Sequence, residues 1–343
     1  MTLSNPSRLL AKQLDEFAGK NLLLINPDGD EVLPLLLEVC ASITVLSQDL
    51  CHHQYFQQRQ TDAQLVFGCD PQALNADAFD CALIRQPKAK EQLAMLTALA
   101  SSAVVKGGNL YWIGENKSGI RAAAKVVSPW SHFALKLASG AHCQLLRGVN
   151  AERQPWQAEQ WWHQHQVMTP DGPLQLASLP GVFGHGSLDQ GTALLLKSLP
   201  ATPQGRVLDF GCGDGVIGTF LARRNPAIEL HMVDISAMAL AAAKRSLEQQ
   251  QLHGQVYGSD GLSNVSGLFD LIVSNPPFHH GLEMTMESTR QFIQEAASKL
   301  KPGGHLVLVA NQHLPYGDVL HHAFGRVNIV DQDSKFKIYA NEK

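Results

Sequence analysis

Short apolar runs recur along the chain, each bounded by Gly, Pro, Asn or Asp and followed by a segment whose apolar positions repeat every three or four residues. The runs fit buried strands and the periodic segments fit amphipathic helices, so their alternation predicts a parallel α/β sheet. In the first part the strands are NLLLINP from Asn21, ITVLSQD from Ile43, QLVFGCD from Gln64, FDCALIRQP from Phe79 and GGNLYWIGE from Gly107. Between the last two, AKEQLAMLTALASSAVV keeps helical spacing and predicts a helix ending just before Gly107-Gly108. This part closes near Arg153.

From Trp156 the pattern changes. WQAEQWWHQHQVM and PLQLASLPGVF alternate on either side of Thr169-Pro170-Asp171-Gly172. This predicts a β-hairpin joining the two parts, its tryptophans packed against one part or both. SLDQGTALLLKSL turns helical from Asp189, and a second series follows: RVLDFGCGDGVIGTFLARR, IELHMVDISAMALAAAKRSLEQQ, GQVYGSDG, FDLIVSNPPF, a helix through TRQFIQEAASKLK, then GGHLVLVANQ. RVNIVDQDSKFKIYAN reads as a closing hairpin. Strands with helical crossovers and a terminal hairpin predict a doubly wound, mostly parallel sheet with an antiparallel strand at its end. The parts also echo each other: Phe79-Asp80 matches Phe269-Asp270, Gly107-Gly108 matches Gly303-Gly304, and LLLIN at Leu22 lies opposite VLDFG at Val207. A tandem duplication predicts two Rossmann-like domains, 1–155 and 156–343, the second opening with the hairpin linker.

Composition narrows the partners. The 343 residues suffice for two cores, and 27 Lys+Arg against 31 Asp+Glu give a net charge of −4. There is no global basic field, so any nucleic-acid contact must be local. Six cysteines (Cys40, Cys51, Cys69, Cys81, Cys143, Cys212) without a C-x-x-C pair fit reduced cytosolic thiols packed in or near the core. MTLSNPSRLLAKQLDEF lacks an apolar h-region and no long apolar run follows, so a cytoplasmic protein without membrane contact is expected. No H-E-x-x-H or comparable spacing occurs, so no metal is expected.

Chemistry concentrates after the strands of the second series. Asn275-Pro276-Pro277-Phe278 stops a strand in a rigid turn. Two prolines remove two backbone donors, leaving the carbonyls of Asn275 and Pro276 outside any ladder. With the Asn275 amide oxygen they form an acceptor-rich pocket suited to an incoming –NH₂ group, and Phe278 offers a stacking face. An ordinary Asn-Pro turn is the plainer alternative. Upstream, Asp209-Phe210-Gly211-Cys212-Gly213-Asp214-Gly215 follows a strand and opens a helix, but Val216 breaks the G-x-G-x-x-G spacing of nicotinamide-binding turns. A D-x-G-x-G-x-G loop suits a zwitterionic tail and a nucleoside. Asp234 ends the next strand, where a carboxylate accepts both ribose hydroxyls, and Asp260 stands where it can accept from an adenine amine. Each carboxylate alone also fits a solvated strand end; jointly they favour a ligand crevice.

Asp209 to Gly215, Asp234, Asp260 and Asn275 to Phe278 resemble the signature of S-adenosylmethionine-dependent methyltransferases acting on planar nitrogen. With the tandem architecture, LPGVFGHGSLDQGTALLL, GENKSGIR and KFKIY, essentially the whole chain resembles the bacterial ribosomal RNA small subunit methyltransferase C family, the 16S rRNA (guanine(1207)-N2)-methyltransferases. The resemblance implies S-adenosyl-L-methionine as cofactor, 16S rRNA or the 30S subunit as partner, and a monomer. It implies a degenerate first domain, and the residues agree: Asn26-Pro27-Asp28-Gly29-Asp30 replaces the cofactor loop and Arg85-Gln86-Pro87-Lys88 replaces Asn-Pro-Pro-Phe. Rival readings are a guanine-N2 enzyme for 23S rRNA, a protein-glutamine methyltransferase, a non-catalytic RNA-binding protein and a nicotinamide oxidoreductase. For RNA docking, Lys117, Arg121 and Lys125 predict one basic stripe on a helix, which Lys88 and Lys90 extend. His279-His280 follow the turn, but His52-His53 and His321-His322 make such pairs unspecific.

Overall fold

The computed structural model describes residues 3–74, 79–184, 186–276 and 282–343, with the backbone alone for 73 and 282–288. It divides into two compact units, Met1–Trp162 and His163–Lys343.

The first unit carries helices α1 (Asn5–Leu10), α2 (Val32–Leu37), α3 (Leu50–Gln57), α4 (Lys90–Ala103) and α5 (Ala123–Val127). Its strands are β1 (Asn21–Ile25), β2 (Ser42–Ser47), β3 (Gln64–Phe67), β4 (Phe79–Arg85), β5 (Val104–Glu115), β6 (Leu135–Gly140) and β7 (Cys143–Val149), in the order β3-β2-β1-β4-β5-β7-β6. The five predicted strands are parallel, while β6 and β7 add an antiparallel edge that no sequence expectation covered. The expected helix through Val105 stops at Ala103, because Val104 already pairs with Phe79. β-branched Val104-Val105 suits a strand better than a last helical turn.

The second unit opens with the hairpin β8 (His163–Thr169) and β9 (Gly172–Ser178), then α6 (Gln190–Ser198), β10 (Arg206–Phe210), α7 (Val216–Arg224), β11 (Glu229–Asp234), α8 (Ala237–Gln249) and β12 (Gln255–Gly258). There follow β13 (Phe269–Ser274), α9 (Leu282–Lys299), β14 (Leu300–Asn311), α10 (Tyr316–Phe324), β15 (Ile329–Gln332) and β16 (Phe336–Glu342). The sheet order, β12-β11-β10-β13-β14-β16-β15, repeats that of the first unit. Local devices repeat as well. The Asp80 carboxylate accepts from the Asn21 N–H at 2.8 Å as Asp270 accepts from Arg206 at 2.7 Å, and β4–β5 and β13–β14 each shift register at the matched Gly-Gly pair. Two α/β domains of one topology are therefore present.

Successive strand residues serve opposite layers, which explains the continuous apolar runs. Val207, Met232 and Val273 pack with α6, α7 and the hairpin's Leu174 and Leu176, while Leu208, Val233 and Ile272 pack with Phe292 and Ile293 of α9. The hairpin belongs to the second unit: the N–H of Ala177 donates to Ser246 Oγ of α8 at 3.0 Å. The tryptophans before it belong to the first, where Trp156 and Trp161 group with Trp130.

Candidate active site

In the second unit the chain leaves β10 toward β11 on one side and reaches β13 on the other, so the sheet order reverses between β10 and β13. Crevices of open α/β sheets lie beyond the strand carboxyl ends at such a point. Phe210 and Ser274 are register partners there, and the Ser274 hydroxyl donates to the Phe210 carbonyl at 2.9 Å, bringing Gly211 and Asn275 side by side past the strand ends. Gly211, Gly213, Asn275, Asp189, Thr192 and the half-exposed Phe183 line one crevice.

The glycine loop is held from behind. The N–H groups of Gly211 and Cys212 donate to Val233 O at 2.9 and 3.0 Å, and Gly211 and Gly213 take φ values of +70° and +56°. A Cβ on Gly211 would meet nothing within 4 Å, so its outer face is open to a ligand, whereas one on Gly215 would strike Ala243 and Met232 at 2.9 Å. Asp234 ties the glycine loop to the turn after β11: Oδ2 accepts from Gly213 N at 3.1 Å and Oδ1 from Ser236 N at 2.9 Å. Asp260 is exposed, and its carboxylate has no partner among the described residues. Ribose hydroxyls, an adenine amine and an ammonium group are all donors, so this acceptor-rich rim fits S-adenosylmethionine.

Asn275 is set by residues that the sequence singled out only as a helix start. Its amide nitrogen donates to Asp189 Oδ2 at 3.1 Å and to Thr192 Oγ1 at 2.8 Å, spending both N–H bonds. Asp189 is also the N-cap of α6, accepting from Thr192 N at 3.0 Å. The amide cannot flip without facing its oxygen toward a carboxylate, so Oδ1 remains an acceptor. The carbonyls of Asn275 and Pro276 accept no hydrogen bond among the described residues. Pro277, Phe278, His279 and His280 lie outside the described residues.

Asp209 stands behind the loop. It is fully buried, and its Oδ2 accepts from Gly218 N of α7 at 2.8 Å while Oδ1 has no partner among the described residues. Burial pushes its carboxyl up to about 7; the Gly218 bond opposes this and Asp234 and Asp214 add to it. The native state therefore holds a proton that the unfolded chain releases near 3.8. This stabilisation is present below pH 4 and is lost as pH rises toward 7, on the order of 4 kcal/mol in all. Denaturant melts from pH 4 to 8 are expected to show a downward slope that Asp209→Asn flattens; equal slopes would place the proton elsewhere. Cys212, also buried, has its thiol pushed well above the usual range by burial, so it stays protonated and serves packing.

The matching crevice of the first unit is filled by its own side chains. Asn26 repeats the backbone of Gly211, with φ +56° and its N–H on Leu46 O. Arg85 Nε then donates to Asp28 Oδ2 at 3.1 Å, the Ser4 hydroxyl reaches the same oxygen, and buried Asp30 accepts from Ser4 N. A Cβ on Gly29 would meet His52 and Tyr55 of α3 at 3.2 and 3.3 Å.

The basic stripe is not one helical face. Lys117 lies in a 3-10 turn at Asn116–Ser118, Arg121 in another at Ile120–Ala122 and Lys125 in α5. Gly119, at φ +86°, breaks the helix between them. All three side chains remain exposed, as do those of Lys88 and Lys90, but Lys117 pairs with Glu115 at 2.9 Å.

Known proteins resemble this chain along its whole length. The family described as "Methyltransferase small domain" matches residues 173–340, and "Methyltransferase small domain N-terminal" matches 7–165. The chain is 41% identical over 342 residues to the ribosomal RNA small subunit methyltransferase C of Shewanella loihica, covering 99% of both. It is 38% identical over 341 residues to that of Aeromonas hydrophila, covering 99% of this chain and 98% of that one. A solved structure of a T. thermophilus 16S rRNA N2 G1207 methyltransferase, in complex with AdoMet and guanosine, superposes with TM-score 0.84 at 25% identity, over 99% of this chain and 92% of that one.

Proposed function

The chain belongs to the ribosomal RNA small subunit methyltransferase C family, and from that premise we propose that it methylates the exocyclic N2 of a guanine in 16S rRNA with S-adenosyl-L-methionine. The observation that carries the reading is the fixed amide of Asn275. With both N–H bonds spent on Asp189 and Thr192, Oδ1 is left as an acceptor in the crevice that the glycine loop lines, and this reading takes the Pro276 carbonyl as the second acceptor.

The amine of guanine is a weak nucleophile because its lone pair is delocalised into the ring. Two acceptors that grip both amine hydrogens turn the lone pair out of the ring plane, and positioning of this kind is worth several kcal/mol without a strong base. Bound S-adenosylmethionine supplies an electrophilic methyl group, which the nitrogen takes while the C–S electron pair leaves on sulfur. The methylated amine is cationic and acidic, and its proton passes to solvent. Gly211, Gly213, Asp234 and Asp260 hold the cofactor in this reading, with Asp209 and Gly215 shaping the loop from behind. In this reading Phe278 stacks the base and Pro277 withholds a backbone donor from it. A guanine inside a duplex cannot reach the turn, so the target is unpaired or flipped out.

The first unit, its crevice filled, neither binds cofactor nor transfers methyl groups, and Lys88, Lys90, Lys117, Arg121 and Lys125 serve RNA docking as separate phosphate contacts. The protein acts as a monomer on the 30S subunit; light scattering at the mass of one 37.4 kDa chain checks the first point. Incubation of naked 16S rRNA and of 30S subunits with labelled S-adenosylmethionine is expected to place label on N2 of one guanine, more in the subunit. Label confined to protein would overturn the reading.

A further inference from the structure

The first unit holds a second cavity, of about 250 Å³, that the methyl-transfer site does not use. Trp130, Gln154, Trp156, Gln157 and Gln160 line it with Ala98 of α4. The indoles form a cluster: Trp156 and Trp161 lie near parallel, 16° apart with centroids at 6.2 Å, and Trp130 stands 6.1 Å from Trp161. The buried indole N–H groups of Trp156 and Trp161 donate to no acceptor among the described residues. Native proteins seldom leave buried donors unmade, and such an orphan points to a missing partner.

The lining contains no charged side chain. An ionic ligand is thereby disfavoured. Indole faces supply stacking area, and three glutamine amides supply donors and acceptors together, the combination that reads the edge of an unpaired nucleobase. Charge lies on the segment leading in: exposed Arg121 and Lys125 precede Trp130, whose N–H donates to Val127 O at the end of α5. Cations that track phosphates next to an aromatic platform are how single strands are held.

We propose that this cavity binds one unpaired base of the RNA substrate, with the nearby cations on its flanking phosphates. The assignment rests on the RNA-methyltransferase reading above. It makes the filled first unit a reader of RNA and not only a folding partner.

The test uses the full chain, an unstructured RNA of about ten nucleotides and an abasic strand of equal length, followed by tryptophan fluorescence and by anisotropy of a labelled strand. The base-bearing strand is expected to bind roughly 5- to 100-fold tighter than the abasic one, with quenching. Trp156→Ala should erase that ratio and leave the salt dependence unchanged. The triple variant Lys117→Ala, Arg121→Ala, Lys125→Ala should do the reverse, keeping the ratio while the salt slope falls by up to about two. If Trp156→Ala unfolds, as circular dichroism would show, Gln157→Leu and Gln160→Leu carry the same expectation. Equal affinity for the two strands, or a ratio that survives these substitutions, overturns the pocket. So does a proline-rich peptide whose binding is lost in the same variants while RNA binding persists, since indole grooves also take such peptides. Methyl transfer to 16S rRNA is measured on the same preparations. If transfer is retained without base binding, only the pocket falls; if transfer is absent in the unmodified protein, the reading beneath it falls.

Discussion

Replacing Asn275 by alanine is expected to lower kcat by roughly a hundredfold or more while S-adenosylmethionine affinity stays within about twofold. The missing amide oxygen is an acceptor that matters when the guanine amine rehybridises, and loss of one preorganised hydrogen-bond partner typically costs that much in turnover. Thr192→Val tests the same point from behind the site. It removes the 2.8 Å acceptor for Nδ2 without touching the substrate side, so an intermediate fall in kcat is expected, restored by Thr192→Ser. Thr192 is the better choice than Asp189, which also caps α6 and would confound orientation with helix stability. Single-turnover rates at saturating cofactor decide the matter. Unchanged turnover in Asn275→Ala would remove the residue from the chemistry.

Asp234→Ala should have the opposite signature, weakening S-adenosylmethionine by about ten- to hundredfold with a smaller effect on kcat at saturation. Ribose contacts are made alike in ground and transition states, so their loss appears in binding. Hydrogen bonds to a charged group contribute about 1.5–3 kcal/mol each, which sets the range. The substitution also frees the N–H groups of Gly213 and Ser236, so part of the loss reflects a loosened loop. Asp234→Asn, which keeps one carbonyl oxygen, separates the contributions by retaining some affinity. Calorimetry giving wild-type affinity for Asp234→Ala would take the carboxylate out of the cofactor site.

The strand ends were legible in order along the chain. Strands buried on both faces write themselves as unbroken apolar runs, and their ends carry the residues that turn the chain. Gly211, Asp234, Asp260 and Asn275 could therefore be assigned to one edge before any fold was in hand. The doubled order of elements, with the Phe-Asp and Gly-Gly pairs, likewise predicted two α/β domains. Expectations failed where periodicity stood in for geometry. Lys117, Arg121 and Lys125 keep helical spacing, but Gly119 adopts a left-handed conformation between them and no helix forms across it. Val104 reads as helix by position yet is strand by pairing, because β4 offers it a ladder.

By itself the sequence determined the α/β class and the tandem units, and it marked Gly211–Gly215 and Asn275-Pro276 as strand-end segments, since each depends on residues within a few positions of one another. Only the tertiary structure decided which way the Asn275 amide faces, through Asp189 and Thr192, 86 and 83 positions away. It also decided that Arg85, Asp28 and Ser4 meet at the first unit's strand ends, and that Trp130 and Trp156, both in ring contact with Trp161, line one cavity. Periodicity records which face of an element is buried, not what it is buried against. The partners of a hydrogen bond across the sheet are fixed by strand order and crossover, and local sequence carries no trace of them.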